Sequence, residues 1–244
     1  MNKKIFHLSN APIVEAIIDL RVTNNEWNPD SFQKDMSELL PDYPIIEPQR
    51  LIRTQVTAKT NEVPQSSAID LGLRGFFFRH KDKLQVAQFQ RDGFSFSRLK
   101  PYLDWNHLVA EARRLWDAYQ KSISIQSVSR LGVRFIDQIK APMEGELTTY
   151  LIDPPKPPCN YEWSFSEFLH RDVFDIANTP YNAILIRAMR TEQSEMVFSV
   201  DIDISTLSKL DDDAIWGEHL RQMHDLKNEI FFGSIQRSIL EGMR

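Results

Sequence analysis

A period of two dominates this chain. From Ile13 to Val22, Val14, Ala16, Ile18, Leu20 and Val22 alternate with Glu15, Asp19 and Arg21, with Ile17 the one exception. Such alternation puts apolar and charged side chains on opposite faces of a strand. The pattern returns at Leu51–Thr60, Leu71–Arg79, Leu84–Gln90 and Phe94–Arg98, with His80-Lys81-Asp82-Lys83 and Asp92-Gly93 as hairpin connections. Short polar turns between strands make neighbours antiparallel, so the first half reads as a β-meander.

Two kinds of helix interrupt the strands. Asn28, Pro29, Asp30 and Ser31 supply a turn and an N-cap, and Phe32, Met36, Leu39 and Leu40 follow at helical spacing until Pro41 and Pro44. After Pro101, Asp104 can cap a longer helix in which Trp105, Leu108, Val109, Ala112, Leu115, Trp116 and Tyr119 form an apolar stripe. Strands then resume at Ser127–Ile139, with Leu131, Val133 and Phe135 opposite Arg130, Arg134 and Gln138, and again at Ser164–Ile176, Tyr181–Arg190 and Glu195–Ile204. Asp211, Asp212 and Asp213 precede a long helix expected from Ala214 to about Leu240, where carboxylates suit the positive end of the helix dipole.

The expected fold class is therefore α+β, with antiparallel sheet and a repeated strand, helix, strands, long-helix unit. Residues 1–122 form one α+β half and 123–244 the other, packed together as one compact unit. Aligning Asp19-Leu20-Arg21-Val22 with Gly132-Val133-Arg134-Phe135 sets apolar on apolar and Arg on Arg, which suggests an internal duplication.

Composition narrows the chemistry. The net charge of -5 is uneven: residues 1–122 carry 17 Lys+Arg against 15 Asp+Glu, and residues 123–244 carry 12 against 19. A chain of sequence pI about 5.7 lacks the dense basic field that grips nucleic acid without specificity. Cys159 is the only cysteine, so an intramolecular disulfide and a multi-cysteine zinc site are excluded, and a reducing compartment fits. The apolar run after Lys3 and Lys4 stops at His7 and Ser9, short of a signal-peptide core, and no stretch approaches the roughly 20 apolar residues of a membrane span. The expected location is cytoplasmic, with no membrane association.

Catalytic motifs are not recognisable. There is no Walker loop, G-x-G-x-x-G or G-x-S-x-G, and Gly72-Leu73-Arg74-Gly75 lies among strand signals, where it reads as a kinked or bulged strand. His219 and His224 are five residues apart and do not share a helix face, and Cys159 directly follows the proline-rich Asp153–Pro158 segment without a partner. Asp201 and Asp203 share a strand face and are the one local pair able to hold Mg²⁺ in a hydrolase or nuclease, against the plainer reading of a solvated face. No cofactor is expected, and a site assembled from distant Asp and His residues stays open.

The positive signal is a surface. Arg21, Arg53, Arg130 and Arg134, beside Glu15 and Asp19, lie opposite the inward apolar sets of their strands. On a shared sheet they form either a recognition face for a protein partner or the ion-paired side of a half-covered sheet. The alternative partner is nucleic acid, bound by Arg74, Arg91 and Arg98 with Phe76, Phe94 and Phe96 as stacking groups.

Several stretches together resemble a known family. They are Pro12-Ile13-Val14-Glu15-Ala16, Gln90 to Leu99 with Pro101, Tyr102 and Trp105, Arg130-Leu131-Gly132-Val133-Arg134-Phe135-Ile136, and Leu226 to Phe232. The resemblance, over nearly the whole chain, is to a sporadically distributed prokaryotic family of unassigned function. It implies a single unit and supplies no catalytic residue. Sporadic distribution further implies a mobile-element or defence setting.

Overall fold

The computed structural model describes residues 8–24, 27–58, 65–142, 146–157, 165–206, 210–211 and 214–244. Nine strands form one antiparallel sheet: β1 (Ile13–Asn24), β2 (Ile45–Thr57), β3 (Gln65–Arg79), β4 (Gln85–Gln90), β5 (Gly93–Leu99), β6 (Ile125–Pro142), β7 (Phe168–Asp175), β8 (Asn182–Glu192) and β9 (Glu195–Thr206). Their order is β2-β3-β4-β5-β1-β6-β9-β8-β7, so the halves meet in the central β1–β6 ladder. Read outward from that ladder, each half places its last strand beside its first and then runs backward through its hairpins.

Period-two burial follows the sequence pattern. Ala16, Ile18, Leu20 and Val22 of β1, with Leu131, Val133 and Phe135 of β6 and Val200, Ile202 and Ile204 of β9, line the inner face. Among the described residues, five α-helices accompany the sheet: α1 (Pro29–Leu39), α2 (Trp105–Ser122), α3 (Leu147–Tyr150), α4 (Leu220–Ser234) and α5 (Arg237–Glu241). Phe32 of α1 meets Phe76 and Phe89, Trp116 and Tyr119 of α2 meet Phe94, and Tyr150 of α3 stacks on Phe198. The Asn28 and Asp104 side chains cap α1 and α2 as expected, accepting from Ser31 N at 3.1 Å and His107 N at 2.9 Å.

Three expectations need correction. Leu39 lies 40% exposed while Leu40 takes the buried place at the end of α1. β2 begins at Ile45 rather than Leu51, running through Pro48; it is an edge strand, and proline is tolerated where no outer neighbour needs its N–H. The long closing helix is broken. A π-helical turn (Ile215–His219) leads into α4, and Ile235 is extended (φ -109°, ψ 140°) before α5. The break leaves few backbone groups unpaired, because Ile235 forms a β-bridge to Leu151 and the Gln236 side chain donates to the carbonyls of Thr148 and Leu151. Of the three aspartates before this helix, Asp211 caps it through Ala214 N at 2.8 Å; Asp212 and Asp213 lie outside the described residues, as does Cys159.

One part of the sheet extends beyond the rest. β3 pairs with β4 only from Gly75 to Arg79, whereas its ladder with β2 continues out to Thr57 and Gln65. Residues 50–57 and 65–74 thus form a two-stranded ribbon. Gly72, with φ 95°, marks the kink where the β2–β3 register shifts, matching the bulged-strand reading of Gly72 to Gly75.

Candidate functional site

The sheet's outer face gathers most of the residues singled out from sequence. Across the β1–β6 ladder Arg21 faces Arg130, Asp19 faces Gly132 and Ile17 faces Arg134. Arg130 bonds to Asp19 and, at 3.1 Å, to Asp203, while Arg134 grips Asp201 with two bonds of 2.7 and 2.5 Å. Arg21 donates to Gln90 at 2.8 Å, and Gln90 and Gln88 both donate to Gln49. Glu15 stands on the same face, half-buried. Arg53 does not join them: it lies on the projecting ribbon, paired across it with Ile69.

The charges on this face are therefore largely spent within the protein. Burial opposes the Arg130 charge, but Asp19 and Asp203 outweigh it and hold its guanidinium above the ordinary range. Burial also pushes the Asp203 carboxyl up in spite of Arg130, and Asp19 and Asp201 crowd it further. The Arg130 shift follows from the two carboxylates it faces, and the Asp203 shift first from burial and then from its acidic neighbours. Since Arg134 and Arg130 already hold Asp201 and Asp203, a metal ion would have to displace them; among the described residues no group of three His, Cys, Asp or Glu is placed to hold one.

Gly132 makes this network possible. A Cβ there would overlap the Asp19 carboxylate and the Arg130 guanidinium. Gly132→Ala is expected to separate that pair and cost about 2 kcal/mol. An unchanged urea midpoint would mean the pair does not need the space above Gly132.

The nucleic-acid stacking set does not form. Phe76, Phe94 and Phe96 are at most 3% exposed, all in the core. Arg98 is tied to Asp82 and the Pro101 carbonyl, and Arg74 lies 3.8 Å from Asp92.

Two other features emerge instead. On the ribbon, Leu51, Ile52, Val56, Ile69 and Leu71 are 45% to 65% exposed. On the helical side, a cleft of about 770 Å³ opens between residues 8–13, the start of α2, β6 and α4. Phe135 is its hub. Tyr102 packs edge-on against Phe135 at 5.6 Å, Trp105 lies 6.3 Å away, and Lys227 Nζ sits 4.0 Å from the ring centroid. His224 stacks on Trp105 at 4.2 Å and 9°.

Behind Phe135 lies Asp137, 1% exposed, and Lys227 is 4% exposed. Asp137 Oδ2 has no hydrogen-bond partner among the described residues, nor has the buried Tyr102 hydroxyl. Burial raises the Asp137 carboxyl to about 6, with Lys227 pulling the other way, and lowers the Lys227 amine to about 8 against the pull of Asp137. Burial, with the Lys227 charge adding to it, lowers His224 to about 4 and keeps its ring neutral at pH 7. Sequence reasoning missed these residues, although a signal existed. Asp137 follows Leu131, Val133 and Phe135 on the inward parity of β6, and Lys227 falls on the buried stripe of Leu220, Met223 and Phe231.

Comparison with known proteins finds no matching family model and no match among curated proteins.

Proposed function

We propose that this chain is a binding or regulatory module without catalytic activity of its own on its partner, and that it engages another protein through the β2–β3 ribbon. One observation carries the reading: an exposed two-stranded ribbon bearing five large apolar side chains. A two-stranded ribbon is marginal in water unless something covers it, and here the exposed apolar groups stand on both faces, with Ile52 and Val56 on one and Ile69 on the other. The outer edge of β2 also presents backbone groups to which a partner strand can add. Of the arginines expected to recognise a partner, Arg53 stands on this ribbon, whereas Arg130 and Arg134 are occupied by aspartates.

The broader setting belongs to the same proposal. The sequence resemblance supports a prokaryotic protein of a mobile-element or defence system, and the single cysteine supports a reducing, cytoplasmic setting. The mirrored strand order of the two halves supports an internal duplication, and so does the pairing of Asp19 with Gly132, the residues aligned between the halves, as a two-fold axis through that pair requires.

A photo-crosslinking residue at Ile52, expressed in the native host, tests the ribbon. The expected result is a discrete crosslinked protein that is absent when the same residue replaces Asp175, and that disappears with Val56→Asp. Crosslinks no stronger at 52 than at 175 would overturn the assignment.

A further inference from the structure

The cleft around Phe135 poses a separate question: why a helix stripe of Leu220, Met223 and Phe231 carries a lysine. A structural ion pair with Asp137 is the plain answer. It predicts an Nζ within bonding distance of the carboxylate. Among the described residues, however, Lys227 forms no ion pair, Asp137 Oδ2 is unpartnered, and Nζ lies over the face of Phe135. Lys227 instead lines a cleft of about 770 Å³ together with Tyr102, Trp105, Gln138, His224 and Asn228. That volume suits a small molecule.

An anion-binding site is less well served by this arrangement. Among the described residues the interior offers a single amine, whose charge is opposed by burial, and Lys140 at the rim is paired with Glu195 at 3.1 Å. A desolvated lysine in an aromatic pocket is a poor ion but a good nucleophile. We propose that Lys227 is a carbonyl-capturing residue, and that the Phe135 cleft admits a small aldehyde or ketone which the amine binds as an imine.

The chemistry balances without a further reactant. The nitrogen lone pair of the neutral amine attacks the carbonyl carbon, and the π pair moves to oxygen. The oxygen then leaves as water with the two amine protons, and the carbon–nitrogen double bond closes. Addition of water reverses the step. The unpartnered Tyr102 hydroxyl is the available donor to the carbonyl oxygen, and Lys100 at the rim suits a ligand that also carries an acid group.

Glyoxylate, an aldehyde bearing a carboxylate, serves as the probe, with borohydride reducing any imine to a stable amine that peptide mass mapping locates. Labelling at Lys227 is expected to outpace that at Lys100 and Lys140 by about tenfold or more, and to saturate as glyoxylate is raised. Lys227→Arg, if it keeps the melting temperature, should lose the fast label; if it does not fold, the map of the unaltered protein decides. Labelling at Lys227 no faster than at Lys140 would overturn the proposal, and so would a rate strictly linear in glyoxylate, which signals reactivity without a binding cleft.

Discussion

Replacing Asp137 with Val and Lys227 with Met together is expected to stabilise the protein by about 2 kcal/mol near pH 7. Each group is shifted against its charged form, Asp137 up to about 6 and Lys227 down to about 8, so folding buries two charges that recover only part of their hydration. A carboxyl raised on folding binds more protons in the native state between about pH 4 and 6, so its penalty disappears as pH falls through that window. A lysine lowered on folding binds fewer protons in the native state above about pH 8, so its penalty disappears as pH rises from there. The gain from the double replacement should therefore be largest between pH 6 and 8 and should shrink on both sides. Lys227→Met alone leaves Asp137 buried without a counter-charge and should be less stable than the double variant, by an amount that narrows toward pH 4. Urea midpoints at pH 5, 7 and 9 measure this. Equal stability of the single and double variants at pH 7 would show that a lone Asp137 carries no burial penalty. A pair that persists while lowering stability is what a functional cleft retains.

The strands were legible because period two survives in an antiparallel sheet with one covered face. The alternation in β1 and β6 correctly placed Ile18, Leu20, Val133 and Phe135 inward. The same parity, carried one step further along β6, would have placed Asp137 inward as well. What hid it was the expectation that a charged residue marks the solvent side. The long final helix misled for a different reason: no proline interrupts residues 214–240. Its break at Ile235 depends on a bridge to Leu151, a contact made by chain more than eighty residues away. Gly233, two residues before, was the only local hint.

The arginine face was legible as a surface but not in its electrostatic state. Sequence parity put Arg21, Arg130 and Arg134 together, and the structure agrees. Whether they are free depends on β9 lying beside β6 so that Asp201 and Asp203 meet Arg134 and Arg130. Strand order is not written in a local pattern. Arg53 shared the parity of the others but not their neighbourhood, because β2 and β3 continue past the end of β4.

The neck of that ribbon carries the second large effect: Gly75→Ala is expected to cost about 3 kcal/mol. Gly75 faces Gln49 on β2 and Gln90 on β4, the last point at which β3 has two neighbours. A Cβ there would overlap the Phe89 carbonyl oxygen and come within 2.8 Å of Gln90 Cα. Both obstacles are backbone, so no side chain can swing aside and β3 must part from β4. Gly72 provides the control. Its φ of 95° makes alanine strained, yet nothing lies within 4 Å of an added Cβ. Gly72→Ala should therefore cost only about 1 kcal/mol. Urea midpoints rank the two, and amide exchange locates the damage: Gly75→Ala should speed exchange at Phe76 to Phe78 and leave β8 and β9 unchanged. If Gly72→Ala proves the more harmful, the ribbon is held by its kink rather than by close approach at its neck, and its orientation toward a partner is set by backbone conformation at residue 72.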